Sequence, residues 1–306
     1  MLARGQDQHG LGWLDNERIV FIGSKLGETR IERGREFPRN DLFVWNIATG
    51  EIQRHAELSR TSGICVAPGY VRYHFEREGV PYVRFGVFGR TDEAEVDVQA
   101  MKDGILAVSQ VSCREYNPKL LKRRYGDWAL PLLEPGEYLD RTSGHYNEPM
   151  RYFPSDGTNA IPLSKVPNRV VFLIPRYSEH LGKYVFNELR TVTGANVTAS
   201  VWLVDRKGNS EIITVPPGPW MAGYVQLMPI RDGLVMTSRA GAVGRNVEAA
   251  GVYVVKNERV TMMLAGMPHA LAVSPDGCKV AVSIDVERTE TARPRVNMID
   301  VCLQGK

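Results

Sequence analysis

The sequence predicts an all-β fold, a six-bladed β-propeller with seven blades as the runner-up count, on three observations. A strand–turn–strand pattern recurs along the 306 residues. Its copies fall at a nearly even spacing. A Ser-Pro-Asp-Gly turn joins two apolar runs near the C-terminal end. Strand-containing repeats of about 40–50 residues mark stacked blades, each a four-stranded antiparallel meander.

The clearest copy of the pattern is Leu42–Ile52, with Gly50 in its turn; Ser200–Gly208, Gly251–Arg259 and Val296–Gly305 repeat it. Apolar and polar residues alternate in each, as a half-buried strand requires. Gly or Asn at the turn supplies the positive φ of a tight hairpin. Read as third strand, turn and fourth strand, the turns fall near Gly50, Thr91, Gly157, Gly208, Asn257 and Gly305. The intervals are about 41, 66, 51, 49 and 48 residues, against about 40–50 for a blade. The long second interval is too short for two blades. It is read as one blade with an insertion at about 114–149, inside a single domain spanning 1–306.

The remaining strands follow from the same alternation. Blade one adds Leu11–Leu14, Arg18–Gly23 and Glu51–Ala56. Blade two takes Ile64–Ala67, Tyr70–Phe75, Tyr82–Phe88 and Ala94–Val98. Blade three takes Ile105–Val111, Met150–Phe153 and Thr158–Leu163. Blade four takes Val170–Ile174, Tyr184–Glu188, Val201–Asp205 and Glu211–Val215. Blade five takes Tyr224–Met228, Leu234–Ser238, Val252–Val255 and Val260–Leu264. Blade six has His269–Val273, Lys279–Ile284 and Val296–Val301.

In blade six, the run Ala272-Val273-Ser274-Pro275-Asp276-Gly277-Cys278-Lys279-Val280-Ala281-Val282 resembles the first hairpin of WD40-like and TolB-like propeller repeats. Pro presets φ, and Asp-Gly closes the turn between two core strands. The resemblance implies the propeller fold and names no activity. No Trp-Asp pair ends a third strand and no Gly-His opens a repeat, so the chain departs from a regular WD40 array.

Blade six runs out at Lys306 after three strands. Because propellers leave no exposed sheet edge, the ring is expected to close with a strand from the N-terminus, at or before the first residues. Cys278 and Cys302 flank the second and third strands of this blade. A register pairing Ile284 with Val296 and Val282 with Met298 sets the two cysteines face to face, within reach of a disulfide. A one-residue shift abolishes that pairing. A disulfide fits a periplasmic or secreted protein better than a cytoplasmic one. Cys65 and Cys113 read as ordinary buried residues.

Composition narrows the classes. A net charge of +3 is too small to point to nucleic acid. No apolar run is long enough for a transmembrane helix. The cysteines form no metal-type spacing, so no metal is expected. GxSxG, HExxH and GxxxxGK[ST] motifs are absent, and no cofactor is expected.

Two stretches carry candidate binding residues. The insertion holds Lys122, Arg123, Arg124 and Trp128, and later His145. Basic residues interleaved with aromatics suit an anionic polymer, a sugar or a partner protein. After the first strand of blade four come Arg176, Glu179 and His180 in what reads as a loop, and His269 opens blade six. A Glu, a His and an Arg together can transfer protons or grip a carboxylate. The leading expectation is a non-enzymatic binding propeller, an envelope or assembly subunit taking a protein partner or small ligand at the channel mouth or loop face. The alternative is a hydrolase or lyase acting on a sugar or lactone, with Glu179 and His180 converging with His145 or His269. A third reading is anionic-polymer binding through the insertion.

Overall fold

The computed structural model describes residues 10–32, 35–58, 64–67, 70–77, 80–85, 94–97, 138–141, 150–153, 159, 161–162, 176–191, 197–218, 225–239, 247–285 and 295–303. These fall in two compact units, 1–132 and 133–306. The described residues form six antiparallel sheets, each a run of strands close in sequence, and the fold is all-β.

The first unit holds two four-stranded meanders. One is β1 (Leu11–Trp13), β2 (Arg18–Glu32), β3 (Arg35–Asn46) and β4 (Ile52–Glu57); the other is β5 (Ile64–Ala67), β6 (Tyr70–Arg77), β7 (Val80–Phe85) and β8 (Ala94–Asp97). Leu14, Val20, Ile22, Leu42, Leu58, Ile64, Val71 and Tyr73 form one core between them. The first strands of the two sheets meet closely at Gly12. A Cβ there would lie 2.4 Å from Val66 Cβ, so only glycine allows β1 to approach β5. Asp41 is buried on β3, and the half-exposed Arg54 of β4 grips it with two bonds, Nε to Oδ2 at 2.7 Å and Nη2 to Oδ1 at 2.9 Å. The β3–β4 turn is closed by Asn46, whose Oδ1 accepts the Ala48 and Thr49 amides, and by Gly50 at φ 75°.

The second unit begins with β9 (Tyr138–Arg141), β10 (Met150–Phe153) and β11 (Ile161–Pro162), with β10 central. Strand β9 lies inside the stretch read from sequence as an insertion. Two four-stranded meanders follow. The first is β12 (Arg176–Ser178), β13 (Lys183–Thr191), β14 (Val197–Val204) and β15 (Ser210–Val215). The second is β16 (Val225–Ile230), β17 (Gly233–Ser238), β18 (Gly251–Lys256) and β19 (Arg259–Ala265). The last sheet has three strands, β20 (Met267–Val273), β21 (Lys279–Asp285) and β22 (Arg295–Asp300). One continuous core, including Val185, Val201, Leu203, Leu227, Val235, Val252, Leu271, Val280 and Val282, runs through the last three sheets. Burial falls from the middle strands outward. Strand β17 is buried along nearly its whole length, whereas β15 and β19 are mostly exposed or half-buried. Inner strands are covered on both faces, and apolar residues run without alternation through Leu234–Met236, Val252–Val255 and Val280–Val282.

Two features differ from the sequence reading. Strands β2 and β3 extend well beyond Gly23 and Leu42, and pair out to Glu32 and Arg35 past an irregularity between Ser24 and Thr29. Arg176–Ser178 is itself a strand, pairing with Val185, Tyr184 and Lys183, and not part of a loop.

The β21–β22 register also differs, by one residue: Ile284 pairs with Arg295, Val282 with Asn297 and Val280 with Ile299. Cys278 and Cys302 are nevertheless joined by a disulfide, with Cα atoms 5.0 Å apart. Both lie beyond the last ladder pair, Lys279 with Asp300. The residue opposite Cys278 is Val301, whose amide donates to the Cys278 carbonyl at 2.8 Å. Asp300 Oδ1 then accepts the amides of Cys302 and Leu303, both at 3.0 Å. That turn bends the chain back, and past the ladder the pleat no longer dictates which way a side chain points.

Two predictions follow from this packing. Reducing the Cys278–Cys302 bond, or replacing both cysteines with serine, frees a cross-link of sequence separation 24 and lowers stability by about 3 kcal/mol in urea denaturation. Alkylation with and without reductant gives the accompanying mass shift. Arg54→Met leaves the buried Asp41 carboxylate without its bidentate partner, and the same assay shows a loss of about 2–4 kcal/mol.

Candidate functional site

The turns between the first and second strands of the last three sheets meet along one seam. The β12–β13 turn is Glu179-His180-Leu181-Gly182, with Gly182 at φ 60°. The β16–β17 turn is Arg231-Asp232. The β20–β21 turn is Ser274–Cys278, and its chemistry is local. Asp276 Oδ1 accepts the Ser274 hydroxyl at 2.5 Å and the Cys278 amide at 3.0 Å. The Ser274 hydroxyl in turn accepts the Lys279 amide at 2.8 Å. Burial works to raise the Asp276 pKa, but the Ser274 hydroxyl, the Cys278 amide, Lys279 and Arg231 outweigh it and hold the carboxyl below its ordinary value.

Two bonds tie the second turn to the third. The Arg231 amide donates to the Gly277 carbonyl at 2.9 Å, and Arg231 Nη2 donates to the Asp276 carbonyl at 3.0 Å. The first turn reaches them through His180. A Cβ on Gly277 would lie 2.8 Å from Cγ and Cδ2 of the His180 ring and 2.9 Å from the Arg231 nitrogen. Gly277, at φ 74°, therefore does two things: it makes the left-handed turn and it leaves the space in which the imidazole sits.

The ring is half-buried. Its Nδ1 is 3.1 Å from the buried Ser178 hydroxyl, while Nε2 is buried without a hydrogen-bond partner. Burial lowers the His180 pKa below its ordinary value and Arg231 acts in the same direction. Asp276 opposes, as does the Ile230 carbonyl, which is near the ring but not in hydrogen-bond geometry with Nε2. Glu179 keeps solvent contact, yet partial burial raises its carboxyl pKa, with Arg206 opposing.

Arg176 opens β12, and Glu179 and His180 occupy the turn after it. His269 is elsewhere. It sits at the irregularity between Pro268 and Ala270 in β20, where its Nε2 lies 2.6 Å from Asp285 Oδ2. The two backbone carbonyls of Pro268 and His269 accept Arg239 Nε and Nη2 at 2.6 and 2.8 Å. From His269 to the turn at Ser274 the strand runs about 15 Å, so His180 and His269 lie at opposite ends of one hairpin and do not converge. Lys122, Arg123, Arg124, Trp128 and His145 lie outside the described residues. Among the described residues no three His, Cys, Asp or Glu side chains cluster as metal ligands would. Sequence reasoning missed Arg231, Asp276 and Gly277. The Ser-Pro-Asp-Gly turn flagged the last two as turn formers only, and no local spacing connects them to His180.

No family model and no curated protein matches the chain. Among solved structures it is similar to the β-propeller domain of the Trilobed protease from Pyrococcus furiosus, at 8% identity over 95% of this chain and 81% of that one, with a TM-score of 0.40. It is similar to a chain of the Mitotic Checkpoint Complex, at 8% identity over 92% and 88%, TM-score 0.44. It is also similar to oligogalacturonate lyase in complex with manganese, at 12% identity over 93% and 62%, TM-score 0.34. Likenesses this distant carry no activity across.

Gly277→Ala drives a methyl group into the ring and the Arg231 amide at a positive φ. The expected loss is about 2–3 kcal/mol in urea denaturation. His180→Ala restores part of it by vacating the ring, leaving about 1–2 kcal/mol for the left-handed backbone. Strictly additive effects in this double-mutant cycle would refute the wedge.

Proposed function

We propose that this chain is a non-enzymatic binding module of propeller architecture, taking a protein partner or small ligand on the seam of turns around His180, Arg231 and Asp276. The observation that carries this is the joining of three turns, far apart in sequence, into one surface. It presents the exposed Glu179, Arg231 and Asp232 over a hydrogen-bonded base. Loops held by a rigid scaffold are where binding residues concentrate. The six blades of this reading are the six sheets. Among the described residues the sheet of β20–β22 has three strands, and the closing strand expected from the first residues lies outside them. The disulfide fits an oxidising compartment, the periplasm or the cell exterior.

A second reading is a hydrolase or lyase acting on a sugar or lactone. It is favoured by the pair His269–Asp285, in which Asp285 Oδ1 is buried without a hydrogen-bond partner. A carboxylate that orients a histidine is a common acid–base device.

Site-specific photo-crosslinking separates the two. A photoreactive residue at Asp232, on the seam, is expected to give a discrete adduct from an envelope extract of the producing cell. The same residue at Ile212, exposed on β15, is expected to give none. Equal adduct patterns at the two positions sink the binding reading. Turnover of a lactone or oligosaccharide panel that is lost in His269→Gln supports the second.

A further inference from the structure

We infer that His180 is a proton-operated wedge: neutral, it holds the β12–β13 turn against the joined turns of the next two sheets, and protonated, it releases them. This concerns regulation of the surface proposed above, but it rests on the geometry of the turns and not on what they bind.

The imidazole fills the space left by the missing side chain of Gly277, beside the Arg231 amide. Its Nε2 is buried without a hydrogen-bond partner. A second proton on the ring would put a half-buried cation beside the Arg231 cation, a cost that Asp276 and the Ile230 carbonyl offset only in part. The groups that face the ring can be named by element. Glu179 stands on its own turn. The second turn brings Arg231 and the adjoining Asp232. The third brings Asp276, with Lys279 just beyond it. Arg206, from the β14–β15 turn, acts on Glu179.

The sign follows from linkage. Opening exposes the ring to water and returns its pKa upward, so the open state binds more protons and acid favours it. Closed-state stability is whole above about pH 6.5, the ordinary histidine value, and declines as pH falls below it, until the ring titrates in the closed state too. Glu179 works the other way. Its carboxyl pKa is raised in the closed state, so proton uptake there favours closure as pH falls toward it.

Amide hydrogen exchange, read by NMR on the full chain with no partner present, tests the wedge. Measurements at about pH 7.5 and about pH 5.5 bracket the histidine range, with intrinsic rates corrected. The Arg231 amide lies beside the space the ring fills, so release of the first turn uncovers it, and it is expected to lose up to about tenfold of its protection on acidification, the most that one proton contributes per pH unit below the histidine range. The Ser274 amide, bonded within its own turn to the Lys279 carbonyl, is expected to keep its protection. In His180→Gln the Arg231 amide shows equal protection at both pH values; in Glu179→Gln the loss is larger. Unchanged protection in the parent chain overturns the inference, as does an equal loss in His180→Gln. Should that variant fail to fold, the ring of His180 is titrated in the parent chain. A midpoint that does not match the Arg231 transition is equally fatal. Without a partner in the tube, failure here leaves the binding reading untouched, and an absent crosslink leaves the wedge untouched.

Discussion

A lone antiparallel meander cannot bury both of its faces, and the organisation of this chain answers that constraint. The described positions of the middle strands β14, β17, β18 and β21 are buried nearly throughout, whereas an isolated sheet would leave one face against water. Instead the last three sheets cover one another, and their core is one continuous layer. The hydrophobic gain, about 25 cal/mol for each Å² of apolar surface removed from water, therefore accrues to the stack and not to single sheets. The polar outer strands follow from the same logic. Strands β4, β15 and β19 are the outer strands of their sheets, and most of their residues are exposed or half-buried.

Stacking in sequence order has a second result: it aligns equivalent turns. The β12–β13, β16–β17 and β20–β21 turns come from successive sheets and arrive side by side. Each contributes something different. The first brings a histidine and a carboxylate, the second a guanidinium and its backbone amide, and the third an aspartate with a glycine that leaves room. None of these groups is distinctive alone. Together they make a surface in which Arg231 is bonded to the third turn and His180 Nε2 is left buried without a hydrogen bond.

Much of the fold was legible because alternation and turn chemistry agreed. Leu42–Asn46, Tyr184–Glu188, Val201–Val204 and Val252–Val255 read as strands and are strands. The turns at Gly50, Gly208 and Asn257 adopt the positive φ expected of them. Legibility failed where the pattern carried no face information. The run from Val280 to Ile284 is apolar at four of five positions and buried throughout, so sequence could not choose between two registers one residue apart. The charged stretch between Gly23 and Asn40 hid the length of β2 and β3, because their outer pairing rests on backbone bonds and not on apolar alternation. Arg176–Ser178 was too short and polar to read as a strand. The seam was invisible for a different reason. Its parts lie some 50 residues apart, and only stacking brings them together.

The cross-link between Cys278 and Cys302 has a consequence for biogenesis. It closes a short loop lying wholly within the last sheet, so its two sulfurs meet when that hairpin forms. Until then the face of β16–β19 that the last sheet covers stands open, and chains with unfinished apolar faces are the ones that aggregate. The bond needs no distant partner, only the hairpin of β21 and β22, whose contacts are local and therefore quick to form. Quality control of this protein thus has a natural checkpoint: a chain whose last hairpin is oxidised has finished the cover on which the preceding sheet depends.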